Sequence, residues 1–390
     1  MISGKGIYLK RLTSQMRMRS LEVGTELDGS SPPSVFIGAY DWPNVQAGPL
    51  IAPFHGDTSI LDTPEDWIPN RIGQDDIVDF RMSLVRGKQR LNVSDVGSNL
   101  AEKLRDIALS DGSVDSEAVF QKPPRGVSYT DEQLPYGPSA QIEDLNVGNS
   151  RWMRPLERAY YDGDLKAADA VVELHEGDVP FSRIQKALSA GTLGERRQRK
   201  LVPTRWSITA CDSILANELL DIVRHYEILD SYRVYEHTSL NNYYAIILLP
   251  TAWQYEWTEA FLHIIGSEEM VFSDHETNLG KRGYSQVGGC YYSCKFAVLE
   301  ALERMQKQSG AIILREAYRG YIPLGVYNVR ENVRCALKQT PTEFETIQDS
   351  LNHLSRRLHL PVSRFMRESP LLAEQVKGTQ STLSRYMSPN

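Results

Sequence analysis

The spacing of hydrophobic residues predicts both helices and strands along the chain. Runs rich in Tyr, Val and Ile over 232–237 and 243–249 predict a β-hairpin, because the turn-prone residues Asn241 and Asn242 lie between them. Apolar runs predict further strands at 35–37 and 311–314. Helical spacing predicts a helix over 63–85, either continuous or interrupted, and further helices over 94–109, 164–175, 180–190, 209–225, 288–307, 326–337, 342–358 and 361–367.

This mixture of elements predicts an α+β body with short β-sheets, followed by a flexible C-terminal tail. Residues 110–150 are rich in turn-forming residues and lack periodicity, which predicts either a long irregular segment on the core or a domain boundary. From Glu374 onward the sequence is polar and has no core-forming pattern. We therefore expect an N-terminal extension (1–30), an N-terminal α/β part (31–150), a C-terminal α+β part (151–373) and a tail (374–390).

The composition is that of an ordinary globular protein, with 41% hydrophobic and 24% charged residues among 390. No apolar run reaches the roughly 20 residues that a membrane-spanning helix requires. No apolar segment follows the basic N-terminus, so a secretory signal is not expected either. We therefore expect a soluble cytoplasmic protein. The net charge of −7 argues against a protein that coats nucleic acid through global charge, but it permits a local basic groove.

The sequence contains four cysteines, too few for a disulfide framework in a chain of this length. Cys290 and Cys294 share one face of a predicted helix, but two thiolates alone do not complete a zinc site. We interpret them as reduced thiols packed in the core, and we predict no bound metal and no cofactor.

The familiar signatures of catalytic sites are missing. Gly280-Lys281 is followed by Arg282, so the hydroxyl that completes a phosphate-binding P-loop is absent. His275-Glu276 lacks the second histidine of a zinc protease, and neither a dinucleotide-binding glycine motif nor a serine-hydrolase elbow occurs. These absences leave open whether the protein is an enzyme.

Several charged residues interrupt apolar segments in the second half of the chain. Arg315 and Glu316 end a predicted strand, and Arg330 and Glu331 lie in a predicted helix. Charges in such positions are usually paired or functional, because burying an isolated charge is costly. We favour structural ion pairs. The alternative is a catalytic or anion-binding site in which the arginines grip phosphate oxygens.

A basic cluster precedes the predicted helix over 209–225. It consists of Arg196, Arg197, Arg199, Lys200 and Arg205, and Trp206 follows directly. Basic residues beside an aromatic ring suit a surface that grips the nucleic-acid backbone and stacks on bases. The alternatives are a solvated surface or internal salt bridges.

The last residues contain the clearest motif in the sequence. Gln380, Leu383, Tyr386 and Met387 fit the spacing of the box that binds the replication sliding clamp, except that Met387 replaces the usual second aromatic residue. A short helical turn would place the three apolar residues on one side, where they fill an apolar pocket on the clamp. The Gln380 amide would fill a small polar pocket beside it. This motif predicts the sliding clamp PCNA as a partner.

Five longer segments carry a recognisable pattern: SSPPSVFIGAYDWPNVQAGPL (30–50), GDTSILDTPEDW (56–67), RKLVPTRWSITACDS (199–213), GGCYYSCKFAVLE (288–300) and PLGVYNVRENVRCAL (323–337). Together they resemble the archaeal Nre DNA-repair family. The resemblance implies a role in DNA-damage repair and a C-terminal clamp-binding box. Many family members begin with a cysteine-rich zinc finger, but here no cysteine precedes Cys211, so residues 1–20 cannot form that site.

The sequence thus predicts a DNA-repair factor that is recruited to the clamp and contacts DNA. Two interpretations of the body remain open. It is either an enzyme acting on DNA or a nucleotide through Arg315, Glu316, Arg330 and Glu331, or a non-catalytic adaptor that binds DNA or another protein. A pocket that collects these charges would favour the enzyme, and buried ion pairs would favour the adaptor.

Overall fold

The structure is a computed structural model that describes residues 4–15, 21–128 and 134–387, with side chains described up to residue 378. Its helices and two mixed sheets confirm the α+β class. The helices are α1 (Gly4–Gln15), α2 (Pro64–Trp67), α3 (Gln74–Met82), α4 (Asn99–Leu109), α5 (Arg154–Tyr161), α6 (Ala167–Glu176), α7 (Phe181–Ser189), α8 (Thr204–Val223), α9 (Gly289–Met305), α10 (Val326–Ala336), α11 (Ile347–Leu354), α12 (Val362–Glu368) and α13 (Pro370–Met387). The strands are β1 (Glu26–Ser31), β2 (Val35–Ile37), β3 (Asn44–Ile51), β4 (Val85–Asn92), β5 (Val114–Phe120), β6 (Ser139–Val147), β7 (Tyr232–Ser239), β8 (Asn242–Leu249), β9 (Tyr255–Leu262), β10 (Glu269–Glu276), β11 (Gly310–Ala317) and β12 (Thr342–Phe344).

The chain forms two compact units. The amino-terminal unit comprises Gln15–Leu215 and Pro323–Tyr327, and the carboxyl-terminal unit comprises Met1–Ser14, Ala216–Ile322 and Asn328–Asn390. The main division falls within α8 rather than at residue 150, where the sequence pattern placed it. Within the described residues, no helix has the combined length and apolar character of a membrane span.

The amino-terminal unit is built on a six-stranded sheet with the order β1-β5-β6-β4-β3-β2. Its neighbouring strands are antiparallel except β4 and β6, which are parallel. Helix α4 covers one face of this sheet, because its apolar residues Leu100, Leu104 and Ile107 share a core with Val85 and Ile142 of the strands. The sheet therefore has a core face and an opposite face.

The carboxyl-terminal unit contains a second six-stranded sheet, ordered β10-β9-β11-β8-β7-β12. Every residue of β8, β9 and β11 is buried, because helices pack on both faces of these strands. On one face, α11, α12 and α13 contribute Leu351, Phe365 and Leu372 to the core. On the other, the hydroxyl of Tyr255 in β9 donates to the carbonyl of Tyr291 in α9 (3.0 Å).

The structure confirms the predicted hairpin, in which β7 and β8 pair antiparallel up to Ser239 and Asn242. Its turn consists of Leu240 and Asn241, both with positive φ (50° and 57°), as two-residue hairpin turns require. Strand β9 follows this hairpin along the chain.

In the first half of the chain, one predicted helix takes its interrupted form and one prediction is wrong. The helix predicted over 63–85 contains the short helices α2 and α3, and strand β4 begins at Val85. Residues 110–150 contain strands β5 and β6 of the sheet instead of being irregular. In β5 the buried residues Val114, Ser116, Ala118 and Phe120 alternate with exposed ones, and the surrounding turn-rich sequence obscured this pattern.

Two further segments also differ from their predictions. The helix predicted over 342–358 is shorter, since β12 occupies its start and α11 begins only at Ile347. Its cap is Thr346, whose hydroxyl accepts the N–H of Asp349 (3.1 Å). The first 30 residues are not a plain extension, because α1 packs in the carboxyl-terminal unit and β1 is an edge strand of the amino-terminal sheet.

Helix α13 occupies the segment in which the sequence pattern began the tail. Its residues Leu371, Leu372 and Val376 are buried in the core of the carboxyl-terminal unit. Glu256 of β9 caps the helix by accepting the backbone N–H groups of Leu371 (3.3 Å) and Leu372 (3.1 Å), and the Ser369 hydroxyl also donates to it. The packed body therefore extends at least to Val376, beyond the predicted boundary at residue 374.

Truncation tests where the packed body ends. Deleting residues 370–390 removes Leu371, Leu372 and Val376 from the core, and one buried Leu→Ala change alone costs about 2–5 kcal/mol. We therefore expect a large fall in melting temperature. Deleting only residues 379–390 should leave the melting temperature unchanged. Calorimetry of both truncations beside the full chain measures the difference, and equal melting temperatures for all three would contradict the packing of α13.

Candidate functional site

The predicted candidates Arg315 and Glu316 are both fully buried in β11. The guanidinium of Arg315 donates to Asn242 Oδ1 through Nε (3.0 Å) and Nη2 (2.7 Å), and to Glu259 through Nη1 (2.8 Å). The Lys5 ammonium of α1 lies 2.6 Å from the other oxygen of Glu259. These contacts join α1 to three strands of the sheet, so Arg315 belongs to a structural ion network.

Glu316 points away from that network and holds the loop before α12. Its carboxylate accepts the Tyr318 hydroxyl (2.7 Å) and the backbone N–H groups of His359 (3.0 Å) and Leu360 (2.7 Å). By accepting two consecutive backbone N–H groups, the carboxylate fixes the backbone of this loop. Glu316 is therefore placed as an anchor for a loop.

Arg330 and Glu331 lie on the buried side of α10. Arg330 donates to the Ser293 hydroxyl of α9 (3.4 Å), and Glu331 accepts from Arg334 one turn later (2.8 Å). Arg334 also forms a two-bond pair with Glu300 of α9 (2.7 and 2.8 Å). These contacts fasten α10 to α9, which favours the structural interpretation of all four candidate charges over the catalytic one.

The amino-terminal unit contains a buried charge cluster that the sequence pattern did not reveal. Asp62 accepts from Arg81, and the Lys186 ammonium lies 2.7 Å from its second oxygen. All three side chains are almost inaccessible to solvent. Burial acts to raise the pKa of Asp62, but the charges of Arg81 and Lys186 outweigh it and hold the pKa below its usual value. This cluster joins α3 and α7 to the turn that carries Asp62.

A polar cleft of about 670 Å³ lies at one end of β1 and β5, lined partly by Ser30, His55 and Asp115. The ring nitrogens of His55 lie 3.1 Å from Asp115 and 3.2 Å from Asp28. Hydrogen bonds to these two carboxylates raise the pKa of His55. Among the described residues, no group of three His, Cys, Asp or Glu side chains could hold a metal ion.

The predicted basic cluster is divided between surface and interior. Arg199 is buried, and its guanidinium donates to the carbonyls of Gly194 (2.8 Å), Tyr160 (2.8 Å) and Asp162 (3.2 Å). Because these carbonyls occupy its donors, we withdraw Arg199 as a nucleic-acid contact. The other members are exposed: Arg196, Arg197, Lys200 and Arg205.

Trp206, the aromatic residue of that cluster, has a partner that the sequence pattern did not identify. Its ring is 43% exposed and lies 6.1 Å, centroid to centroid, from the ring of Trp42, which is 53% exposed. Both rings belong to the amino-terminal unit. Exposed tryptophans in contact are unusual, because an aromatic ring in water forgoes the stabilisation of burial.

The residues of the predicted clamp-binding motif, Gln380, Leu383, Tyr386 and Met387, have side chains outside the described part of the structure. Only their backbone is described, as the last two turns of α13.

Paired substitutions separate a structural role of Arg315 from a catalytic one. Arg315→Gln breaks a buried ion pair and should cost roughly 3–5 kcal/mol of unfolding free energy. Arg11→Gln is the matched control, because the Arg11–Glu268 pair is exposed and should cost no more than about 1 kcal/mol. Urea unfolding measures both. If Arg315→Gln left stability intact while abolishing repair in cells, the structural interpretation would fail.

Comparison with known proteins gives consistent matches along the chain. The model for the N-terminal part of archaeal Nre matches residues 7–264, and that for the C-terminal part matches residues 276–386. The DNA repair protein NreB of Archaeoglobus fulgidus is 39% identical over 98% of this chain and 98% of its own length. The DNA repair protein NreA of the same organism is 33% identical (87% and 88% of the two chains), and that of Haloferax volcanii is 30% identical (93% and 90%). A search of solved structures found no significant match. The chain therefore belongs to the archaeal Nre family.

Proposed function

We propose that this protein is a DNA-repair factor that the sliding clamp PCNA recruits through residues 380–387. The observation that carries the repair role is the 39% identity to a DNA repair protein over 98% of the chain. Identity spread over the full length supports a shared role better than a single matching segment would. The clamp partner is inferred from the terminal motif.

The position of the motif supports recruitment. Its residues follow directly on the packed part of α13, which Glu256 caps and Leu372 and Val376 hold in the core. The motif is thereby tethered close to the folded body. At helical spacing, Leu383, Tyr386 and Met387 fall on one side of the chain, which suits insertion into a single apolar pocket.

The geometry of the body supports an adaptor better than an enzyme. Arg315, Glu316, Arg330 and Glu331, the residues that would serve catalysis, are buried and engaged with neighbouring elements. A catalytic group must reach its substrate, so charges held in this way are unsuited to the task. We infer that the body binds DNA without transforming it, and that the exposed basic residues Arg196, Arg197, Lys200 and Arg205 contribute to contact with phosphates.

Titration of a tail peptide against the clamp tests recruitment. Replacing Leu383 and Tyr386 by Ala should remove binding, because a few apolar anchors carry most of the energy of such contacts. Met387→Phe should tighten binding, since it restores the second aromatic ring and enlarges the buried apolar surface.

The matched control is the peptide with Ser381→Ala and Thr382→Ala, which should bind as the wild type does because neither residue is an anchor of the motif. Equal affinity of the wild-type and Leu383→Ala/Tyr386→Ala peptides would show that the motif is accidental. The repair role would then rest on family membership alone.

A further inference from the structure

Strand β4 presents a row of cations on the face of the amino-terminal sheet opposite to the core. Val85 belongs to the core, and a Cβ on Gly87 would collide with Ile142 of that core at 2.2 Å. Side chains alternate along a strand, so Arg86, Lys88 and Arg90 lie on the opposite face, spaced by roughly 7 Å. The three positions form one straight basic row.

This row lacks carboxylate partners of the kind that Arg81 and Arg315 have. Within the described residues, none of Arg86, Lys88 and Arg90 forms a salt bridge, and the buried Nε of Arg86 has no hydrogen-bond partner. The Arg86 guanidinium lies between the rings of Phe36 and Tyr136, 4.2 and 4.3 Å from their centroids. The two aromatic faces hold the cation in place, and Tyr136 is also hydrogen-bonded to it, but no described residue supplies a negative charge to Arg86.

The electrostatics of the row favour an anion. Burial lowers the pKa of Arg86, and burial together with the neighbouring Arg86 charge lowers the pKa of Lys88. Adjacent, partly desolvated cations repel one another, and a bound phosphate would relieve both the repulsion and the missing solvation. Arg86 and Lys88 differ in this respect from Arg81, which is buried but paired with Asp62.

Polar groups surround the row on the same face. Gln46 of β3 is opposite Arg90, Gln141 of β6 is opposite Lys88, and the two amides are hydrogen-bonded at 3.0 Å. Farther along the sheet the sign of the charge changes, since Asp28 of β1 and Glu117 of β5 occupy this face. An extended anion would therefore run along β4 and not across to β1.

The aromatic pair lies at the end of the same strand. The Val93 N–H, just beyond β4, donates to the carbonyl of Pro43 (2.9 Å), so the backbone of Trp42 lies close to the end of β4. Trp42 contacts Trp206 and both rings are about half exposed. Tyr40, in the same loop, is 85% exposed. These rings offer faces on which unpaired bases can stack.

We propose that strand β4 and the aromatic residues beyond its end bind single-stranded DNA, with phosphates along Arg86, Lys88 and Arg90 and bases stacked on Trp42 and Trp206. The inference deepens the proposed DNA-repair function, on which it rests, by naming the form of DNA that the body takes. A single strand is favoured over a duplex because only unpaired bases expose their faces to aromatic side chains. With three phosphate contacts, the slope of log affinity against log salt should be about −2, at about −0.7 per phosphate.

Fluorescence anisotropy of the full chain with a labelled oligothymidylate, in a salt series, tests the proposal. Lys88→Glu/Arg90→Glu should weaken binding more than tenfold and reduce the salt slope by about 1.4, the contribution of two phosphates. Trp42→Ala should weaken binding at least about fivefold without changing the slope, since it removes stacking and no charge. The matched control is Lys338→Glu/Arg356→Glu, exposed residues of the other unit with the same change in net charge.

Unchanged binding by Lys88→Glu/Arg90→Glu, or a loss no larger than in the control, would overturn the proposal. So would equal affinity for a duplex of the same length together with no effect of Trp42→Ala. If Arg196→Glu/Arg197→Glu alone weakened binding, the DNA path would follow the basic cluster and not β4.

Circular dichroism checks that each variant is folded. If the charge-reversal variant does not fold, the neutral variant Lys88→Gln/Arg90→Gln replaces it. Clamp binding is measured separately by the tail peptide, so either result stands without the other.

Discussion

A carboxylate buried in a protein interior costs several kcal/mol unless cations or N–H groups surround it, and this constraint organises the carboxyl-terminal unit. Three glutamates of the central strands each satisfy it with a different element. Glu256 accepts backbone N–H groups at the start of α13, and Glu259 pairs with Lys5 of α1. Glu316 accepts backbone N–H groups of the turn before α12. Each carboxylate thereby fixes one surrounding element at one place on the sheet.

The same constraint limits what the body can do. Charges engaged in holding helices to a sheet are unavailable to a substrate, which is why Arg315 and Glu316 serve the fold. In the amino-terminal unit, Arg81 and Lys186 are occupied by Asp62 in the same manner. The cations of β4 lack such partners within the described residues, and that contrast carries the inference of an anion-binding face.

The sequence predicts correctly those helices and strands whose hydrophobic periodicity is strong over neighbouring residues. The hairpin of β7 and β8 and the long helix α9 could be predicted because their periodicity is strong and uninterrupted. Strand β4 could not be predicted in this way. Arg86, Lys88 and Arg90 alternate with residues that are not consistently apolar, so the strand lacks the apolar–polar alternation by which strands are identified. The terminal motif was visible because it is linear, while Asp62 and Lys186 are 124 residues apart and meet only through the fold.

We expect the two proposed binding surfaces to act together when the clamp and single-stranded DNA occur in one complex. Linking two contacts makes the second intramolecular, which typically raises apparent affinity by about 10²–10⁴. The most direct measurement is the affinity of the full chain for a clamp loaded on DNA with a single-stranded gap, compared with the clamp alone and the gapped DNA alone. Our account predicts at least a tenfold gain for the loaded clamp over either component. Affinity for the loaded clamp no higher than for the better single component would contradict it.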